Sequence, residues 1–198
     1  KDDQAESILA HIIRGSGLNG LTGMAVVHSE YAIPVVRPLL DVTKENLLAY
    51  IGTKQISYCV DSTNEDVRYQ RNRIRHRIIP ELEAINPAVV DAIVRLGSSV
   101  NEDVMVISDL TARTFDKLVS IGKDEVSISR RALRQEPLAI QRRLWQRLVS
   151  TIDPELMLTS AHQEQLLDIV NTGEKKTFTI KSIKVIAQCD TIKVYCKH

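Results

Sequence analysis

The chain has 198 residues, 43% hydrophobic and 26% charged, with a formal net charge of +1. That length suits one large domain or two small ones with a sizeable core, and the balance excludes wholesale disorder or a polycation. No apolar run approaches the ~18 residues of a membrane span, and Cys59, Cys189 and Cys196 show no C-x-x-C pairing.

The three cysteines read as reduced, buried or half-buried thiols, which places the protein in the cytoplasm. The chain opens at Lys1 rather than at Met, so its start reads as truncated.

Ala5, Ile8, Leu9, Ile12 and Ile13 fall at i, i+3, i+4, i+7 and i+8 and predict a helix. Asp2 and Asp3 occupy its first turn, and Gly15 or Gly17 ends it. A glycine-spaced loop follows, then strand-like segments at Ala25–His28 and Ile33–Val36. Asp41 and Thr43 offer N-caps for a helix through about Ile51. Asp61 to Tyr69 is loop-like and leads into an arginine-dense helix that Pro80 kinks, and Asn86-Pro87 marks a domain boundary.

Val89, Ile93, Leu96, Val100, Val104, Ile107 and Leu118 keep a helical period, predicting a long helix. Further helices are expected near 137–151, with Pro137 at its first position, and 159–171. The latter has Ser160 and Gln163 as a capping box and Gly173 as its stop. Thr177 to Tyr195 alternates as two or three strands.

On the first helix Asp3 and Glu6 are three apart, so their carboxylates project side by side. Such a pair suits a magnesium ion or an ammonium, and equally a solvated first turn. Arg14-Gly15-Ser16-Gly17 exposes backbone N–H groups that can cradle an anion, although glycines also simply end helices. Arg68, Arg71, Arg73, Arg75 and Arg77 crowd together, with Arg71 and Arg75 in line with Ile74, Ile78 and Leu82. A guanidinium on an apolar stripe requires a carboxylate or phosphate partner. Arg130, Arg131, Arg134, Arg142, Arg143 and Arg147 form a second basic cluster across two helices, either a phosphate-backbone surface or a solvated face. Trp145 among them reads as core.

KDDQAES at 1–7, RGSGLNGLTGM at 14–24, RPLLDVTKENLLAYI at 37–51, DSTNED at 61–66 and YQRNRIRHRIIPELEAINP at 69–87 occur in one order. Together they resemble the tRNA(Ile)-lysidine synthetases of the PP-loop ATP pyrophosphatase superfamily, closely over 1–87 and more loosely beyond. The resemblance implies an α/β fold, with residues 1–86 as the C-terminal part of a Rossmann-like PP-loop ATPase domain. Residues 87–198 would then be a mainly helical tRNA-binding domain with a small terminal β element.

The implied reaction uses ATP, with Mg2+, to adenylate C2 of the wobble cytidine of tRNA(Ile) bearing a CAU anticodon. Free L-lysine then displaces AMP to give lysidine. By motif, Asp3, Glu6 and Arg71 are the implied catalytic residues, Asp3 also the metal ligand. Arg14, Gly15, Ser16, Gly17, Arg68, Asn72 and Arg75 would bind substrate. Arg130, Arg131, Arg134, Arg142 and Arg143 would bind tRNA. Oligomeric state is left open, a homodimer included.

The family's Ser-Gly-Gly-x-Asp-Ser ATP loop is absent, so these 198 residues alone are expected not to turn over ATP. The competing readings are a non-catalytic tRNA-binding module and a tRNA 2-thiolating relative, the latter disfavoured by the lack of paired cysteines.

Overall fold

The N-terminal apolar stripe folds as helix α1 (Asp2–Ile13) in the computed structural model, which describes residues 1–28, 33–59, 66–123, 125–172 and 175–196. Ala5 and Ile8 are buried, while Ile12 and Ile13 are half-exposed. Gly15 adopts φ +74°, the left-handed conformation expected after a helix. A short helix α2 (Leu18–Leu21), not anticipated from the glycine spacing, precedes the antiparallel pair β1 (Val27–His28) and β2 (Val35–Val36). Thr43 caps α3 (Lys44–Lys54), its Oγ1 accepting the Asn46 N–H at 3.2 Å.

The arginine-dense segment is helical but not regular. Helix α4 (Gln70–Arg73) runs into a wide π-turn (Ile74–Ile78) and then α5 (Ile79–Ile85), and the Ile79 N–H reaches back five residues to the Ile74 carbonyl. Pro80 explains the wide turn. Its ring would clash with the carbonyl four residues back in a regular helix, and it brings no N–H to bond there. The turn moves the buried face by one residue, so Ile74 and Ile79 are buried, while Ile78 is only half-buried. Residues 61–65 of the preceding polar loop, like residues 29–32 between the two expected strands, lie outside the described set.

Helix α6 (Val89–Leu118) spans 30 residues, as its periodicity predicts. Two compact units, Lys1–Met105 and Val106–His198, divide within α6 rather than at Asn86-Pro87. The first half of α6 belongs with α1: a Cβ at Gly97 would lie 2.6 Å from Ile8 Cδ1, and Lys1 Nζ pairs with Asp91 at 2.7 Å.

The second unit is richer in sheet than its sequence suggests. Its strands β3 (Val119–Ile121), β4 (Glu125–Ser129), β5 (Lys176–Ile180), β6 (Ile183–Gln188) and β7 (Thr191–Cys196) form one antiparallel sheet in the order β3-β4-β7-β6-β5. The three C-terminal strands match the alternating tail, whereas β3 and β4 were not anticipated. Helices α7 (Arg130–Gln135), α8 (Leu138–Ile152) and α9 (Ser160–Thr172) belong to this unit. Trp145, fully buried, shares its core with Leu148, Leu166, Val185 and Val194. The α9 cap sits one residue earlier than predicted, with Thr159 and His162 exchanging bonds at 3.2 and 3.3 Å. Gly173 is outside the described residues. Cys59, Cys189 and Cys196 are exposed free thiols, not the buried ones expected.

At the β6–β7 turn, Asp190 ties the sheet to α7. Its Oδ2 accepts the Ser129 hydroxyl at 2.8 Å and its Oδ1 the Arg131 backbone N–H at 2.7 Å. The Ser129 bond, reinforced by the Arg131 N–H, holds the Asp190 carboxyl below its ordinary range. A depressed folded value means the tether is fully present above about pH 4 and is lost as pH falls through that lower value. Asp190→Asn is therefore expected to flatten the acid limb of the stability profile below about pH 4. Urea unfolding at several pH values checks this, and an unchanged acid limb would remove the tether from the account.

Candidate active site

The site begins with a carboxylate in an apolar environment. Glu6 is 1% exposed, beside Ala5 and Ile8 on the face of α1 that packs toward α4 and the π-turn. Its Oε2 accepts Arg71 Nε at 2.8 Å and Arg75 Nη2 at 3.0 Å, while its Oε1 accepts Arg75 Nε at 2.6 Å. One turn earlier, Asp3 Oδ1 receives Arg71 Nη2 at 2.8 Å and Arg75 Nη2 at 2.9 Å. Two acids at i, i+3 thus face two arginines at i, i+4, although 65 positions separate Glu6 from Arg71. A buried carboxylate without such partners would cost several kcal/mol. The Glu6 hydrogen bonds push both guanidinium pKa values up, against the opposing effect of burial.

The two arginines are not equivalent. Arg75 is 24% exposed and Arg71 54%, as is Asp3. Arg75 is therefore the more structural partner of Glu6, and Arg71 and Asp3 present the more accessible charge. All three line a cavity of about 640 Å³ together with Arg37, Leu40 and Lys44. Its volume lies within the usual range for small-molecule sites.

Gln4, which sequence reasoning passed over, fixes one wall of this cavity. Its side-chain amide brackets the Met24 backbone, accepting the N–H at 2.6 Å and donating to the carbonyl at 2.8 Å. Gly23 makes this approach with φ +74°, and a Cβ there would lie 2.6 Å from Gln4 Oε1. Only glycine meets both demands. The pairing of a glutamine in α1 with Gly23-Met24 has no periodic signature, so only the fold reveals it.

Other expected residues fall elsewhere. The Gly15 and Ser16 N–H groups bond the Ile12 and His11 carbonyls at 3.0 Å each, closing α1 instead of cradling an anion. Gly17 precedes α2 in extended conformation, and Arg14 lines a separate cavity with Glu6, Tyr69 and Arg71. Arg68, its side chain 88% exposed, pairs with Asp66 at 2.7 Å and does not line the 640 Å³ cavity. Asn72 is buried and donates to the Asp66 carbonyl at 2.9 Å, anchoring the loop. Among the described residues no cluster of three metal-ligating side chains exists, and Asp3 and Glu6 already accept bonds from two guanidinium groups. The residues present do not fit a resident magnesium ion, contrary to the expectation for Asp3.

The second arginine cluster also divides. Arg130 is 4% exposed and belongs to the core. Arg134 caps the C-terminus of α9, donating to the Val170 and Asn171 carbonyls at 2.6 Å each. Arg130 is thus withdrawn from the surface, while Arg134 remains exposed with part of its donor capacity engaged. Arg143 Nη1 bonds the Ala139 carbonyl at 3.0 Å, and Arg147 stacks 4.8 Å from the Phe115 ring centroid. Arg131 and Arg142 remain exposed.

Residues 1–82 match the family model described as a PP-loop domain. The chain is similar to proteins named tRNA(Ile)-lysidine synthase from Porphyromonas gingivalis (35% identity over 69% of the chain) and Geobacter sulfurreducens (30% over 84%). A further relative of that name, from Caldanaerobacter subterraneus, is 28% identical over 98% of the chain. The chain spans only 28%, 35% and 40% of these curated relatives' own lengths, respectively. It belongs to the tRNA(Ile)-lysidine synthetase family of PP-loop proteins. No helix among the described residues is long and apolar enough to cross a membrane.

The inequality of the arginines is measurable. Arg75→Met leaves Glu6 short of its better-buried partner and is expected to cost about 3–5 kcal/mol. Arg71→Met, which leaves the Arg75 bonds in place, is expected to cost about 1–2 kcal/mol. Denaturant unfolding followed by circular dichroism gives both values, and the reverse order would contradict the assignment.

Proposed function

We propose that the chain acts in tRNA(Ile)-lysidine synthesis, as part of a cytoplasmic ATP-dependent ligase whose partners are tRNA(Ile) with a CAU anticodon, ATP and free L-lysine. The observation that carries this is the meeting of Asp3, Arg71 and Arg75 at a 640 Å³ cavity, with buried Glu6 bonded to both guanidinium groups. In the proposed reaction the cytidine C2 oxygen attacks the α-phosphorus of ATP and pyrophosphate leaves. The lysine ε-amine then adds at C2, the C2–O bond breaks, AMP departs with the oxygen, and the amine proton passes to solvent.

This chain's residues act by placement and charge. Asp3, half-exposed, holds an ammonium of lysine. Arg71 steadies negative charge as it develops on the phosphate side. Glu6 and Arg75 keep those two groups in register, which aligns reactants without a further proton transfer. The first unit carries the lysine site, and the exposed Arg131 and Arg142 of the second contribute to the tRNA surface.

Two experiments test the reading. In the full-length protein, Asp3→Asn is expected to lower lysine incorporation about 100-fold or more while tRNA affinity is unchanged. Wild-type turnover by this variant would end the catalytic assignment and leave a tRNA-binding module. Secondly, the double variant Arg131→Ala, Arg142→Ala is expected to weaken tRNA binding and reduce the log–log salt slope by about 1–2. A folded double variant with the wild-type slope would remove this face from the RNA surface.

A further inference from the structure

The 640 Å³ cavity holds cations that the pairing with α1 does not use. Arg71 and Arg75 are matched by Asp3 and Glu6, and Lys1 Nζ by Asp91 at 2.7 Å. Asp2 Oδ2 accepts the Lys44 backbone N–H at 2.6 Å, at the start of α3. Arg37 is different. It is half-buried, and among the described residues no carboxylate pairs with it. Among the described residues its guanidinium makes one hydrogen bond, Nη1 to the Ala25 carbonyl at 3.3 Å, at the long end of the range. The Arg37 guanidinium thus lines the same cavity as half-exposed Asp3, with most of its donor capacity unused.

We propose that Arg37 is the anchor for the α-carboxylate of the lysine substrate, which rests on the function proposed above. A planar guanidinium binds carboxylate or phosphate equally well in geometry. The cavity decides between them, because it also presents Asp2 and Asp3. Lys1, Lys44, Arg71 and Arg75 also line the cavity, but an amino-acid head group, which carries both signs on adjacent atoms, is the ligand that uses Asp3 and Arg37 together. Its ammonium goes to Asp3 and its carboxylate to Arg37. The ε-amine is left at the far end of a four-carbon chain, available to attack. The site then selects an amino acid over a simple amine, since a buried-side cation left unmatched penalises the analogue.

The test is lysine incorporation by the full-length protein with lysine and with cadaverine, the same diamine chain without a carboxylate. Arg37→Met is expected to raise the KM for lysine roughly 10- to 100-fold, the usual effect of losing a charge-assisted hydrogen bond. Meanwhile kcat changes little and kcat/KM for cadaverine is unaltered, so discrimination collapses. Arg37→Lys is expected to recover part of the lysine KM. Equal losses for lysine and cadaverine, or a raised KM for ATP with lysine unaffected, would overturn the proposal while leaving lysidine synthesis standing. Failure of the wild-type protein to bind or incorporate lysine would overturn both.

Discussion

A carboxylate that is 1% exposed, held by guanidinium groups from a helix 65 positions away, organises the first unit. Ala5 and Ile8 on α1 and Ile74 in the π-turn are the buried apolar residues nearest Glu6 and its partners in sequence. Removing either side of the ion cluster leaves charge stranded in a poorly solvated place, so the two segments are bound to one another. The cost of desolvating these ions makes the cluster a weak source of net stability but a strong constraint on register. What it fixes is the position of half-exposed Asp3 and Arg71 beside the cavity.

The same arrangement makes the two acids by themselves a poor metal cage. Both Glu6 oxygens and Asp3 Oδ1 already accept N–H bonds, and the charges nearly cancel within the cluster. Function in this picture comes from the exposed ends of the network and from neighbouring groups not engaged in it. Arg37 belongs to the second category. In the second unit the logic is reversed: Arg130 and Arg134 support the fold, and Arg131 and Arg142 are left on the surface.

Much of this was legible from residue order, and the failures have identifiable causes. Helical period placed α1, α3, α6, α8 and α9, because each has a stripe long enough to read or a capping residue at its start. The demand that Arg71 and Arg75 find anionic partners followed from their position on the apolar stripe, and Asp3 and Glu6 meet it. The phase shift after Ile74 was hidden, since a regular wheel cannot represent a wide turn forced by Pro80. Strand β4 escaped notice because its partner β7 lies more than 60 residues away, and short strands acquire meaning only when paired. Arg134 is exposed as expected, but nothing in its neighbourhood announces the α9 carbonyls it caps.

The most direct test is a double-mutant cycle between Glu6→Gln and Arg75→Met, read as unfolding free energy. If the buried ion cluster locks the helices together, the double variant is expected to be more stable than the summed single losses imply, by about 2–3 kcal/mol. Additivity within about 0.5 kcal/mol would contradict the account, because it would mean that the two side chains act independently.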